Sequence, residues 1–428
     1  MNIVIWNLFG YCILCPCILF SMLDIKFVRE NPEKVKEGIK KKGVKVDIEK
    51  ILKLDRKRRE LIQKIENLKA EKNKLGANDR EKAKEIKNKI KKIEPELERI
   101  EAEFNQLMLE LPNLPLDNVP IGESDKDNVV VRKVGKKPKF DFKPKNYLEI
   151  AEKLDIIDVK RAAKISGTRF GFLKREAALL EFALIRLAFD ILTKEGFIPI
   201  IPPVMLKPEM MAGMGHLTEA DKDEKYFIPK DNLYLAGSAE QPIGAMHTNE
   251  IFDEKELPKR YVGFSSCFRR EAGSYGKDTK GIFRVHQFDK VEMFSFCKPD
   301  NSVNEHKFLL SMQEKIMKLL KIPYRVVHIC TGDLAFPAAA AYDIEAWIPS
   351  ENRYRETHTT FNDTDFQTRR LNIRYRSKKG IEHPHALNAT ACAIGRTIIA
   401  IIENYQQKDG SVKVPTALQK YLKIKAIK

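Results

Sequence analysis

The sequence predicts an α+β protein: an N-terminal antiparallel two-helix coiled-coil arm, then a domain built on an antiparallel β-sheet flanked by helices. Three observations carry this. Between about residues 48 and 111, apolar residues recur every three or four positions in a highly charged background, which is the seam of a coiled coil. A proline-rich exit, Leu111-Pro-Asn-Leu-Pro115 through Pro120, closes that stretch and marks a domain boundary. Beyond Tyr147, hairpin signals recur without regular βαβ alternation, which argues against a doubly wound parallel sheet.

Residues 1–21 are almost wholly apolar, are broken by Asn7, Gly10 and Pro16, and have no basic residue ahead of the apolar run. They fit a secretory signal poorly and make a marginal membrane span. They are expected to lie upstream of a start at Met22, with a membrane partner only if they are expressed. Residues 22–120 read as one domain bearing the arm. The stripe of its second helix is Ala83, Ile86, Ile90, Ile93, Leu97, Ile100, Phe104, Leu107 and Leu111. The first helix keeps the register with Leu54, Leu61, Ile65, Leu68 and Leu75, interrupted by Arg58 and Lys72. Gly76-Ala-Asn-Asp79 supplies a turn, so the two helices are antiparallel neighbours. Each runs about 30 residues, roughly 45 Å, and Pro95 is expected to kink the second. Residues 121–146 read as a polar linker. Residues 147–428 form the second domain, with strand-like runs at 261–267, 283–296 and 342–348.

Lysine and arginine number 77 against 60 acidic residues, a net charge of +17, which suits a polyanionic partner. The second arm helix opens with Arg80, Lys82, Lys84, Lys87, Lys89, Lys91 and Lys92 against only Glu81 and Glu85. Such lysines usually form a solvated helix face, but on a projecting arm they suit phosphate. Of seven cysteines, Cys12, Cys15 and Cys17 cluster, and Cys267, Cys297, Cys330 and Cys392 stand alone. Neither a zinc spacing nor a disulfide framework results, so a reducing cytoplasm is expected. Without a glycine-rich phosphate loop, any nucleotide must be held by side chains.

The chemistry concentrates in Phe268-Arg-Arg-Glu271 and Gly281-Ile-Phe-Arg284-Val-His-Gln-Phe288-Asp-Lys-Val-Glu292. With the two-residue period of strands, Arg269 and Glu271 share a face, as do Arg284 and Glu292. Gly273, Gly276 and Gly281 mark the connecting loop, made basic by Lys277 and Lys280. Guanidiniums capture phosphate or carboxylate, and carboxylates suit an amino group. These residues read either as a site joining an amino acid to a nucleotide or as a salt-bridged surface hairpin.

This pattern resembles the second signature motif of class II aminoacyl-tRNA synthetases. Asp278-Thr279-Lys280-Gly281 ahead of Phe283-Arg284-Val285-His286-Gln287-Phe288 resembles the seryl-tRNA synthetase family in particular. The likeness runs from Met22 to about Leu422. It implies a class II catalytic domain behind a tRNA-binding domain, and a ligase that uses ATP and Mg²⁺ to load L-serine onto tRNASer. It admits tRNASec as a second RNA and implies a homodimer through residues 196–203, which match the first motif and end at Pro203. The resemblance assigns Ser238, Ala239, Glu240, Glu292, Asn388 and Thr390 to serine. It assigns Arg269, Arg270, Glu271, Arg284, Val285, Glu356, Thr357, His358, Thr359 and Arg396 to ATP, with Glu356 and Thr359 also holding Mg²⁺. Arg269, Arg284 and Arg396 would be catalytic, with Arg396 on the γ-phosphate. Lys84, Lys87 and Lys91 would meet tRNA.

Three departures from the family pattern stand out. Ala389 and Ala391 replace usual glycines and are expected to crowd the pocket wall by a methyl each. The run 338–341 lacks a usual lysine, and His358 occupies an ordinarily small position, as a steric variation. Two other readings share parts of the pattern. A relative that loads carrier proteins would lack the coil, and a tRNA-binding protein with a dead site would not keep Arg269, Glu271, Glu292, Glu356 and Arg396.

Overall fold

The charged arm folds because its apolar stripe finds partners at both ends. Helices Ile25–Glu30 (α1) and Pro32–Lys41 (α2) pack at its root. The arm itself is Ile48–Asn73 (α3) and Arg80–Leu109 (α4). The Asp47 carboxylate accepts the Lys50 N–H at 2.9 Å and caps α3. Val28, Val35 and Ile39 pack with Ile48, Ile51, Phe104, Met108 and Leu111 at the root. Ile65, Ile86 and Ile90, with Leu68, Leu75, Ile93 and Leu97, pack farther out. Arg58, an interruption of the stripe by sequence, lies over the Phe104 ring at 4.9 Å. It also reaches Asp55 at 3.8 Å and Glu101 at 3.7 Å. Asp55 is buried and holds Arg59 at 3.0 Å and Arg29 at 3.5 Å. The break in the stripe is therefore an ion cluster that ties α1 to the arm. Pro95 lies inside α4 without ending it.

The structure, a computed structural model, describes residues 23–76, 79–218, 222–272, 276, 278 and 280–428. The expectations for residues 1–21 and Met22, for the centre of the 76–79 turn, and for Gly273, Lys277 and Thr279 lie outside the described residues. Among the described residues no helix is long and apolar enough to cross a membrane.

The second domain is organised by an eight-stranded sheet. Its strands are Val129–Val134 (β1), Ile198–Ile200 (β2), Lys259–Phe268 (β3), Gln287–Cys297 (β4), Tyr324–His328 (β5), Ala340–Ile348 (β6), Arg353–Asn362 (β7) and His385–Ala393 (β8). The spatial order is β1-β5-β6-β7-β8-β4-β3-β2. Every pairing is antiparallel except β2 with β3. Helices Tyr147–Lys153 (α5), Arg175–Leu192 (α6), Ser302–Leu320 (α8) and Ile394–Asn404 (α9) supply apolar side chains to the core on one face. Glu240–Ala245 (α7) packs into a smaller cluster with Phe294 and Phe296.

Two expectations change here. Residues 121–146 are not only a linker, because β1 extends the sheet by pairing with β5. Arg132 fastens that mostly exposed strand to Glu314 of α8 through two bonds of 3.1 and 2.6 Å. The strands of the central hairpin end sooner than the two-residue period suggested. β3 stops at Phe268 and β4 starts at Gln287, so Arg269, Glu271 and Arg284 lie on the connection and only Glu292 on a strand. Gly281 decides where the connection returns. It has φ +81°, and a Cβ there would lie 1.8 Å from the Tyr147 hydroxyl, which accepts the Ile282 N–H at 2.8 Å.

The ladder between β7 and β8 covers only Thr360–Asn362 against Leu387–Ala389. The next facing residues, Thr359 and Thr390, are joined by a side chain instead. Gln313 of α8 donates from its amide nitrogen to both carbonyls at 2.9 Å. The two domains meet where Asn113 donates to the carbonyls of Pro337 at 2.9 Å and Asp363 at 2.7 Å. Buried Arg370 reaches back to the Leu109 carbonyl at 3.2 Å and the Leu111 carbonyl at 3.4 Å.

Candidate active site

The side chains singled out by sequence converge on one cleft of about 430 Å³, a size that suits a small-molecule substrate. It lies over β4, β7 and β8, beside the β3–β4 connection and the start of α7. Ser238, Glu240, Glu292, Asn388 and Thr390 line it, as do Arg269, Glu271, Arg284, Val285, Glu356, Thr357, Thr359 and Arg396.

One group of these residues is acidic and deeply buried. Glu240 opens α7, and its N–H donates to the Ser238 hydroxyl at 3.2 Å. Its carboxylate meets His216 Nε2 at 3.2 Å and accepts from Gln367 at 3.0 Å. Burial opposes the Glu240 charge, but His216, Lys290 and Gln367 together hold its pKa below the ordinary value. Glu292, 1 % exposed, pairs with Lys290 at 2.6 Å and accepts from the Thr390 hydroxyl at 3.3 Å. Burial pushes Glu292 upward against the pull of Lys290. Two carboxylates beside hydroxyls form a pocket for a small ammonium that carries a hydrogen-bonding group.

The second group is cationic. Arg269 donates to the Gly237 carbonyl at 3.3 Å and lies 5.3 Å from the Phe288 ring. Glu271 takes a left-handed φ of 53°, and its carboxylate accepts from Arg284. Arg396 pairs with Glu356 at 2.8 Å and lies 4.9 Å from the Phe283 ring. The Arg396 guanidinium holds Glu356 below the ordinary carboxylate range against burial, helped by Arg269 and Arg284. Three guanidiniums around one space form a receptor for a polyphosphate.

Three assigned residues stand apart from this lining. Ala239 packs its methyl into the cluster under α7. Arg270 is exposed, and its N–H donates to the Glu224 carbonyl at 3.0 Å. His358 is buried outside the lining, hydrogen-bonded to the Thr357 hydroxyl at 2.8 Å, and burial lowers its pKa to about 4. The expectation for Ala389 and Ala391 also changes. Both belong to the helix-side core, while Asn388 and Thr390 between and beside them line the cleft. Strand alternation therefore turns the two methyls away from the pocket. The sequence reading missed Lys290, His216 and Gln367. Lys290 precedes Glu292 by two and was available from the strand period, whereas His216 and Gln367 arrive from separate segments.

Residues 22–115 match the seryl-tRNA synthetase N-terminal domain, and residues 224–405 match the class II tRNA synthetase core domain for G, H, P, S and T. The serine–tRNA ligase of Thermodesulfovibrio yellowstonii is 44% identical over 95% of this chain and 100% of its own. The chain belongs to the seryl-tRNA synthetase family. The serine–tRNA ligase of Caldicellulosiruptor saccharolyticus is 47% identical over 95% of this chain and all of its own. Among solved structures, the seryl-tRNA synthetase of Pyrococcus horikoshii complexed with ATP superposes with a TM-score of 0.88 at 41% identity, covering 95% of this chain and 99% of that one. The cytoplasmic serine–tRNA ligase of Naegleria fowleri in complex with AMP gives 0.86 at 36% identity, with the same two coverages. A prolyl-tRNA synthetase of Giardia lamblia, 16% identical with a TM-score of 0.55 over 64% of this chain and 54% of its own, shares the fold.

Proposed function

We propose that the chain is a serine–tRNA ligase that joins L-serine to ATP as seryl-adenylate in this cleft and passes the seryl group to tRNASer. The observation that carries this reading is the adjacency of the buried Glu240–Glu292 pocket to the Arg269–Arg284–Arg396 cluster in one cleft. Serine's ammonium suits the two carboxylates. Its hydroxyl suits Ser238, Asn388 and Thr390. A pocket built to bond a hydroxyl rejects analogues lacking one, because its buried polar groups would go unpaired. Phe283 and Arg396 offer flat faces to a purine.

No general base is required, since the serine carboxylate is itself the nucleophile. It attacks the α-phosphorus, the α–β bond breaks, and pyrophosphate leaves. The protein's part is positioning and charge stabilisation. Arg269 grips the serine carboxylate and α-phosphate together, Arg284 neutralises the phosphate chain beside Glu271, and Arg396 takes its far end. Glu356 and Thr359 would hold Mg²⁺. One carboxylate and one hydroxyl suit an ion that keeps water and phosphate ligands. Asp343 faces Thr359 across the β6–β7 ladder with a buried Oδ1 that has no hydrogen-bond partner, and burial and the Glu356 charge raise its pKa well above the usual carboxylate range, a strain that a cation held beside it would relieve. When bound, Mg²⁺ supplies charge neutralisation on the phosphates. Serine is expected to support pyrophosphate exchange into ATP above every other amino acid. Exchange that follows a different amino acid would overturn the specificity.

The partner RNA meets the arm at Lys84, Lys87 and Lys91. All three are exposed, and among the described residues none has an ion pair. At the root the cations are neutralised instead, Lys50 by Glu103 at 2.8 Å and Lys57 by Glu96 at 2.7 Å. Charging of tRNASec by the full chain, measured beside charging of tRNASer, tests the second RNA. The protein works as a cytoplasmic homodimer through α6 and the β2 edge, where Phe182 is 69% exposed, Ile201 79% and Leu179 54%. Phe182→Glu should yield a monomer in sedimentation, and an unchanged mass would remove this surface as the interface.

A further inference from the structure

The joint between the two domains contains a buried charge that the reaction does not use. Lys42, directly after α2, is 7 % exposed and reaches into the second domain. Its ammonium donates to the carbonyls of Ala335 at 2.7 Å, Ala338 at 2.9 Å and Phe336 at 3.1 Å. Three acceptors use all three N–H groups of a lysinium. The carboxylate that offsets its charge is Asp363, fully buried after β7. One oxygen of Asp363 accepts from the Asn388 amide nitrogen at 3.0 Å, and the other has no hydrogen-bond partner. Asn388 lines the cleft.

We propose that Lys42 and Asp363 form a positioning strut through which the N-terminal domain fixes Asn388 as a hydrogen-bond acceptor for serine. An ionised carboxylate only accepts, so it fixes the amide nitrogen toward itself and leaves the Asn388 carbonyl oxygen for the pocket. A protonated Asp363 would donate and allow the amide to turn over. The balance lies among the groups facing Asp363. Burial and the Glu240 charge raise its pKa well above the usual range, while Lys42 and the Asn388 hydrogen bond oppose them. Burial lowers Lys42 to about 7, against Asp363. Serine binding that needs the ionised form is intact above the Asp363 pKa and lost as pH falls through it. Removing Lys42 raises that pKa, so the loss begins at a higher pH.

This inference rests on the assignment of Asn388 to serine, and the experiment separates the two. Pyrophosphate exchange by the full chain is measured against serine and ATP concentration across pH for Asn388→Ala, Lys42→Met, Lys42→Arg and Asp363→Asn. Asn388→Ala should raise the serine KM about tenfold with the ATP KM unchanged. Lys42→Met should raise the serine KM as well and move its acid-side rise up by about one pH unit. Lys42→Arg should restore the wild-type profile, and Asp363→Asn should remove the pH-dependent rise. If Asn388→Ala raises the serine KM while the Lys42 and Asp363 variants keep the wild-type KM and profile, the strut is overturned and the Asn388 assignment stands. If Asn388→Ala changes nothing, both fall. Should Lys42→Met fail to fold, Asp363→Asn carries the test alone.

Discussion

Arg269→Ala is expected to lower serine-dependent pyrophosphate exchange by about 10²–10³-fold, while tRNA affinity stays at the wild-type value. In the proposed reaction Arg269 stands where the two substrates meet. Its backbone is held from both sides, by its N–H to the His286 carbonyl at 2.9 Å and by its carbonyl to His286 Nδ1 at 3.0 Å. The guanidinium is steadied by the Gly237 carbonyl and the Phe288 face. A charge fixed before reaction costs no reorganisation as the phosphate accepts its fifth ligand. Arg269→Lys should recover little, because an ammonium cannot bridge two oxyanions with a planar fork. Filter binding of tRNA reports the second half of the expectation. Exchange that persists within tenfold of wild type would remove Arg269 from the bridging role.

The opposite separation is expected from the arm. Excising residues 62–92 and closing the gap with a short turn should leave exchange within about twofold while charging of tRNASer falls by roughly 10²-fold or more. That cut lies beyond the Lys57–Glu96 pair and spares Phe104, Met108 and the Asp55 cluster. It removes Lys84, Lys87 and Lys91, whose charges have no protein partner among the described residues. Parallel loss of both activities would mean that the arm stabilises the catalytic domain rather than holding RNA.

These two experiments also mark what the sequence made readable. The arm was legible because a coiled-coil seam is a local repeat, visible without knowing what lies nearby. Arg58 looked like a defect only because Asp55, Arg29 and Phe104 assemble around it from three helices. The central hairpin was legible as a site and misread as geometry. Residue types announced the chemistry, but where the connection returns depends on the long-range bond of the Ile282 N–H to the Tyr147 hydroxyl, for which only a glycine at 281 leaves room. Lys290 and the turn of Ala389 and Ala391 into the helix-side core were both present in the strand period. β1 escaped notice although four of its six residues are valines, because its only pairing in the sheet is with β5, nearly 200 residues later, and most of the strand stays exposed. Asp363, Lys42, His216 and Gln367 carry no local signal, since tertiary folding alone brings His216 to the cleft and the other three to positions behind its lining.

Gln313 gives the cleft a property that no residue lining it could supply. Where the β7–β8 ladder stops, the floor of the cleft would part between Thr390 and Thr359 along an open seam. One amide spans that seam from behind and spends both of its N–H groups on the two carbonyls. The gap between the lips is thus gauged by the length of a glutamine on α8, not by strand pairing. In the proposed reaction, the spacing between nucleophile and electrophile is then set from the back of the sheet, beyond the reach of either substrate.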